Sequence, residues 1–293
     1  AVIDDIPFFS GDDRYTANYK RIAVDHLAAM TLDSDNPYIE NALWVELEAS
    51  TRVLIEKYVP AEARVLDVGV GLGRVMGQLP QYQRYGIDIS LDYLKVAKGK
   101  GIEVAFSRIE DMPYNSDAFD AVVTCDVLEH VIEFDACVKQ ILRVLKPGGH
   151  LIIRVPYKED LKVYLQEGLP YEFIHLRNFD EHSIRLYLEK ICGCKVLETS
   201  LVAPYWQGET RMRYRMPTSL TPLGHLIESG TLAKLGIDKE GEEILLKLIS
   251  VPEERMVAWI NRIKVEAPAL FDKLKALLIF DIEMNVVIIN GSQ

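Results

Sequence analysis

Residues 60–155 predict a doubly wound α/β fold, and three observations carry that reading. Short apolar runs alternate with helical ones across the stretch, the signature of parallel strands joined by crossover helices. A glycine-rich turn, Asp67 to Gly73, stands directly after the first apolar run. A helical stretch at 135–146 stops at Pro147-Gly148-Gly149, immediately before another apolar run. With 293 residues, 49% of them apolar, the chain buries a core readily, and its length suits one main domain with an elaboration.

The elements follow in order. Over Asn41 to Tyr58, Leu43, Val45, Leu47, Val53, Leu54 and Ile55 suggest an amphipathic helix, which Pro60 stops. Strands are expected at 64–68 (RVLDV), 84–88 (RYGID), 102–106 (IEVAF), 119–125 (FDAVVTC) and 149–155 (GHLIIRV), with helices at 72–79, 91–99 and 135–146. Asp180 reads as the N-cap of a helix from His182 to Ile191, and Gly193 then leads into a strand at about 195–202. A last strand is expected at 283–290. Some 80 residues of helical pattern separate these two strands, broken at Pro217, Pro222 and Pro252. If the two strands pair, that stretch is an insertion rather than a separate domain. No internal repeat or low-complexity tract is present.

Composition narrows the partners. Asp and Glu number 44 against 33 Lys and Arg, and the resulting charge of −11 disfavours nucleic acid. Cys125, Cys137, Cys192 and Cys194 lack the paired C-x-x-C units of a zinc ribbon, so reduced thiols are expected. The opening residues carry acids where a signal peptide needs a basic region, and no apolar run approaches the ~20 residues of a membrane span. A soluble, cytoplasmic protein without a membrane partner is the expectation, with homo-oligomerisation left open.

Gly69, Gly71 and Gly73 let the backbone approach a ligand without Cβ interference. Their spacing is G-x-G-x-G, and Arg74 occupies the position where a dinucleotide fingerprint has its third glycine, so pyrophosphate is disfavoured. Asp67, two residues before the first glycine, suits an ammonium group instead. Asp88 closes the second strand 21 residues later, where a carboxylate accepts both hydroxyls of a ribose.

On these residues and those that follow, the stretch 60–155 resembles the core of the class I S-adenosylmethionine-dependent methyltransferases, in their small-molecule branch. VLDVGVGLG is similar to the family's first motif, GIDIS to its second, IEDMPYNSDAFDAVVTCDVLEHV to its third and fourth, and ILRVLKPGGHLIIRVP to its fifth. The resemblance implies a seven-stranded, mostly parallel sheet of order 3-2-1-4-5-7-6, with the final two strands of this chain as β6 and β7. It further implies three parts: an N-terminal helical cap (1–59), a cofactor-binding α/β core (60–203 and 281–293), and a mainly helical insertion (204–280) covering the acceptor site. Under the same resemblance S-adenosylmethionine is the cofactor. Asp67 and Gly69 meet its methionine end, Asp88 its ribose, and Ile109, Glu110 and Met112 flank its adenine, with Gly71, Gly73 and Ile89 also binding the cofactor. Asp126 stands close to the sulfonium. Arg108 departs from the family, which often has an acid near that position.

Methyl transfer is an in-line displacement, so catalysis rests on alignment and exclusion of water, with a base useful for a hydroxyl acceptor. Asp126, Glu129, His130 and Tyr157 lie at strand ends where such a base is sought. His130 is either that base or a histidine that hydrogen-bonds its own loop. His175, in YEFIHLRNFD, is either an acceptor-site residue or a packed loop histidine. No metal is expected: DVLEH supplies acids, but ligand spacing is absent elsewhere. In RMRYRM, Arg211, Arg213 and Arg215 fall on one face of an extended chain, fit for an anionic acceptor such as a nucleotide-linked sugar or for a solvated edge strand. Phe8 to Tyr19, with Tyr15 and Tyr19, either folds over the cofactor or caps the sheet.

The reading is thus a methyltransferase acting on an oxygen or nitrogen of a small molecule. Its rivals are a catalytically silent subunit of the same fold, a nicotinamide-dependent oxidoreductase, and a methyltransferase of RNA or protein.

Overall fold

The computed structural model describes residues 1–11, 13–33, 41–159, 161–165, 167–204, 239, 262, 265–269 and 281–291. Contacts between Cα atoms divide the chain into two compact units, Ala1–Ala203 with Asp281–Gln293, and Pro204–Phe280. In the second unit, Arg262 donates to both carboxylate oxygens of Glu266, at 3.0 and 3.1 Å, one helical turn on.

The first unit opens with two short antiparallel strands, β1 (Val2–Ile3) and β2 (Ile6–Pro7), followed by α1 (Arg14–Asp33) and α2 (Asn41–Tyr58). Then come β3 (Arg64–Val68), β4 (Gln83–Asp88), α3 (Leu91–Gly99), β5 (Glu103–Phe106), β6 (Phe119–Cys125), α4 (Phe134–Val144) and β7 (Leu145–Pro156). The unit closes with α5 (Glu181–Leu186), β8 (Lys195–Pro204) and β9 (Asp281–Ile289).

Seven strands form one sheet in the order β5-β4-β3-β6-β7-β9-β8. Counted from β3, this is 3-2-1-4-5-7-6, the expected order. Strands β3 to β7 pair in parallel, whereas β9 runs antiparallel to β7. Because side chains alternate across a strand, the sheet builds a core on each face. Leu66, Val122, Leu151, Ile153, Val286 and Ile288 join Cys137, Ile141 and Val144 of α4 on one face. Val65, Ala121, Val123, Ile152 and Val287 join Leu54 and Ile55 of α2 and Leu94 and Ala97 of α3 on the other. Helices therefore cover both faces, as a doubly wound fold requires.

One expected helix is absent. Over 72–79 the backbone makes turns and a single 3-10 turn, Met76–Gln78. Gly71 and Gly73 hold φ of +49° and +64°, which takes the chain off the right-handed α path, and Pro80 closes the segment before a second turn forms. The 182–191 helix forms in two parts. Asp180 caps it in a capping box with Ser183, and after Leu186 the winding widens into a π-turn, Tyr187–Ile191.

The N-terminus guards one margin of the sheet. Phe8 bridges Phe106 of β5 in parallel, its ring stacks on that of Phe106 at 4.3 Å, and Phe9 N–H donates to Phe106 O at 3.0 Å. All four cysteines are unpaired. Among the described residues, no helix is long and apolar enough to cross a membrane.

Candidate active site

The carboxyl ends of β3, β4, β6 and β7 converge, and each delivers an acid or an acid's partner. Asp67, next to last in β3, is buried. Burial, with the Asp88 carboxylate nearby and only Arg154 opposing, pushes its carboxyl up to about 8. Asp88, at the end of β4, is pushed up to about 6 by burial. Its Oδ2 accepts from Gly71 N–H at 2.9 Å and its Oδ1 from Ser90 N–H at 2.8 Å. Each oxygen retains a lone pair for a further donor.

The glycine turn between them has a tight side and an open side. Gly69 has φ +73°, and a Cβ there would overlap Val127 Cγ2. At Gly71 an added Cβ would meet nothing nearer than Gly69 O at 4.0 Å, so the backbone borders open space. A buried acid, a second acid with free lone pairs and an open glycine backbone fit an amino-acid-bearing nucleoside. Gly73 packs against Ile102 and Ala97, and Ile89 is half-buried against the same core.

Ile109 and Met112 are buried beside the β5 end. Glu110 is committed to Arg108, whose Nη2 donates to it at 3.2 Å. Arg108 also pairs with Asp13 and lies over the Tyr15 ring at 5.3 Å, so it ties the N-terminal segment to the core.

On the other side of the β3 end, the segment 126–131 follows β6. Asp126 has φ +55° and is clamped by Arg154, whose Nε and Nη2 donate to its two oxygens at 3.1 and 2.6 Å. Arg154 is itself buried in β7 and donates to Thr51 Oγ1 at 3.1 Å. His130 Nδ1 bonds Ile174 O at 3.0 Å, and its Nε2 lies 3.6 Å from Glu129 Oε1. Burial, then the neighbouring His175, lowers His130 to about 3, so the ring is neutral near pH 7. Glu129 is fully buried, and among the described residues neither of its carboxylate oxygens has a hydrogen-bond partner.

His175 reaches this cluster from 45 residues downstream. Its ring stands 4.6 Å from that of His130, edge to face. Its Nδ1 pairs with Glu159, and Tyr164 Oη lies 3.3 Å away and donates to Glu159 Oε1 at 2.6 Å. Backbone bonds hold the two segments together: Leu176 N–H donates to Glu129 O at 2.8 Å, while Arg177 donates to the carbonyls of Leu128 (3.0 Å), Val131 and Ile132 (3.2 Å). From α1, Tyr15 Oη donates to His130 O at 3.4 Å and the Tyr19 ring meets that of His130 at 5.6 Å.

The expected site residues therefore fall into two groups that flank the β3 end. Asp67, Gly69, Gly71 and Asp88 form one, and Asp126, His130 and His175 the other. Tyr157 is half-buried against the core, its backbone bridging Phe179. Arg211 and Arg213 lie outside the described residues. Arg154, Glu159 and Tyr164 were not anticipated. Arg154 sits inside an apolar run, and a charge there was the one signal available.

The family model that matches the chain is described as a methyltransferase domain and covers residues 66–153. A ubiquinone biosynthesis O-methyltransferase of Xanthomonas oryzae pv. oryzae is 30% identical over 189 residues, which are 56% of this chain and 76% of that protein. The chain belongs to the class I S-adenosylmethionine-dependent methyltransferase family. Members of that family take S-adenosylmethionine as their cofactor, and the matched stretch of this chain is a methyltransferase domain. A ubiquinone biosynthesis O-methyltransferase of Xylella fastidiosa is 33% identical over 154 residues, 49% of this chain and 63% of that protein, under two thirds of its length. Among solved structures, a putative methyltransferase of Haloferax volcanii, determined in a complex with the Trm112 methyltransferase activator, aligns over 97% of this chain and 100% of its own. Its TM-score is 0.53 at 15% identity, a likeness of fold.

Proposed function

We propose that the protein transfers the methyl group of S-adenosylmethionine to an oxygen of a small molecule, with a nitrogen acceptor as the other form of the same reading. The observation that carries it is the two-sided arrangement at the β3 end: buried Asp67 and half-buried Asp88 with an open glycine backbone on one flank, and an imidazole–carboxylate cluster on the other. In this reading Asp67 takes the methionine ammonium, Gly69 and Gly71 line its approach, and Asp88 accepts both ribose hydroxyls. Ile89, Ile109 and Met112 border the nucleoside. When bound, the cofactor supplies an electrophilic methyl carbon.

The remaining residues align the acceptor and manage its proton. Asp126 is occupied by Arg154, so it positions the β6 loop rather than accepting a proton. His130 is too weak a base near pH 7. His175, backed by Glu159, is the group set to govern the acceptor oxygen. Relatives named as O-methyltransferases support oxygen over nitrogen. Arg211 and Arg213 are assigned to an anionic group on the acceptor.

Calorimetry with S-adenosylhomocysteine tests the cofactor half; no binding at tens of micromolar refutes it. For the acceptor half, His175→Ala should abolish turnover of a hydroxyl acceptor while sparing S-adenosylhomocysteine affinity. Arg213→Ala should raise the acceptor KM and leave that affinity unchanged.

A further inference from the structure

Glu129, His130 and His175 each offer one ligand atom, and these atoms lie within 4.8 Å of one another. Two properties set the group apart from an ordinary buried polar cluster. Glu129 is fully buried, and among the described residues neither carboxylate oxygen accepts a hydrogen bond, although an uncompensated buried carboxylate costs several kcal/mol. A fold that keeps one is short of a proton or a cation. Both imidazoles, moreover, have Nδ1 engaged: His130 with the Ile174 carbonyl, His175 with the Glu159 carboxylate and beside Tyr164 Oη. Each thus keeps Nε2 for a ligand. Metal-binding histidines are held in this way, the second nitrogen fixed by a carbonyl or carboxylate.

We propose that Glu129, His130 and His175 bind a divalent transition-metal cation whose open positions hold oxygen atoms of the methyl acceptor. Two imidazoles and one carboxylate suit manganese, iron, cobalt or zinc better than the all-oxygen preferences of calcium or magnesium. Three protein ligands leave coordination positions free, so an acceptor with two adjacent hydroxyls is the chemical class that fits. A cation-bound hydroxyl loses its proton to solvent near neutral pH. Its oxygen lone pair then forms the bond to the methyl carbon, and the carbon–sulfur electron pair stays with sulfur. The acceptor part rests on the methyltransferase reading above; the cation part does not.

The test uses the full chain, freed of metal by a chelator and titrated with cobalt(II), read by visible absorption and calorimetry. One equivalent should bind at micromolar concentration with the ligand-field bands of mixed nitrogen and oxygen coordination. Glu129→Gln and His175→Ala should each weaken that binding at least about tenfold, while S-adenosylhomocysteine affinity in both variants stays within about threefold of the parent. If Glu129→Gln fails to fold, His175→Ala, at a half-buried position, carries the comparison. The proposal is overturned if the folded parent binds S-adenosylhomocysteine but neither cobalt, manganese nor zinc at a hundred micromolar, or if both variants bind cobalt as the parent does. In the first case Glu129 holds a proton instead. Cobalt binding without S-adenosylhomocysteine binding would leave the cation site standing and remove the methyltransferase reading.

Discussion

Asp67 is held protonated near neutral pH in the cofactor-free protein, by its burial and by the charge of Asp88 at the end of the neighbouring strand. An ammonium group that pairs with Asp67 must therefore expel that proton. Affinity for S-adenosylhomocysteine should rise about tenfold per pH unit from pH 6 to about 8 and then level off. Calorimetry in buffers of different ionisation enthalpy should detect release of close to one proton at pH 7. A flat profile without proton release would remove Asp67 from the ammonium site.

The same shift has a stability consequence of opposite sense to that of a paired carboxylate. Folded Asp67 titrates at about 8 and an unfolded aspartate at 3.8, so between those values the folded chain binds more protons. Stability of the cofactor-free protein thus falls as pH rises through that window. Thermal denaturation should show a declining Tm from pH 5 to 8, and Asp67→Asn should flatten the decline.

Asp88→Ala should weaken S-adenosylhomocysteine binding by roughly 1.5–3 kcal/mol, the scale of hydrogen bonds to a charged group. It also leaves Gly71 N–H without its acceptor. Calorimetry at fixed pH decides; an unchanged affinity assigns the ribose to another residue.

Much of this was legible in the chain. The parallel strands, the two acids and the glycine spacing are local signals, because period, turn chemistry and strand ends are written in consecutive residues. The sheet order came with the family resemblance. What sequence reasoning missed depends on residues far apart or on backbone that local pattern misreports. The 72–79 stretch carries helix-forming residues, yet left-handed glycines interrupt it. Arg154 looks like a fault in an apolar strand until Asp126 and Thr51 arrive as its partners. The pairing of His175 with Glu159, and the approach of both to Glu129, exists only after the 173–177 segment docks on the β6 loop.

Gly69→Ala meets two penalties: a left-handed backbone angle and overlap with Val127. It should destabilise the protein by about 2–4 kcal/mol in denaturant titration, combining backbone strain with overpacking. Adding Val127→Ala should recover the steric part only. Full recovery would mean that the backbone angle carries no cost.

Arg177→Ala removes three bonds to the carbonyls of Leu128, Val131 and Ile132. The expected loss is about 1.5–3 kcal/mol of stability, with faster amide exchange confined to 127–132. Uniform acceleration across the sheet would instead mark Arg177 as a support of the whole core.

Phe8 and Phe9, laid along β5, have a bearing on how the protein behaves at high concentration. A strand at the border of a sheet presents a row of backbone groups to which a stranger's strand can add, and chains that leave such a row bare tend to clump. The first few residues occupy that row at Phe106. A variant whose Phe8 and Phe9 no longer lie along Phe106 would bare that row and should self-associate through β5 more readily.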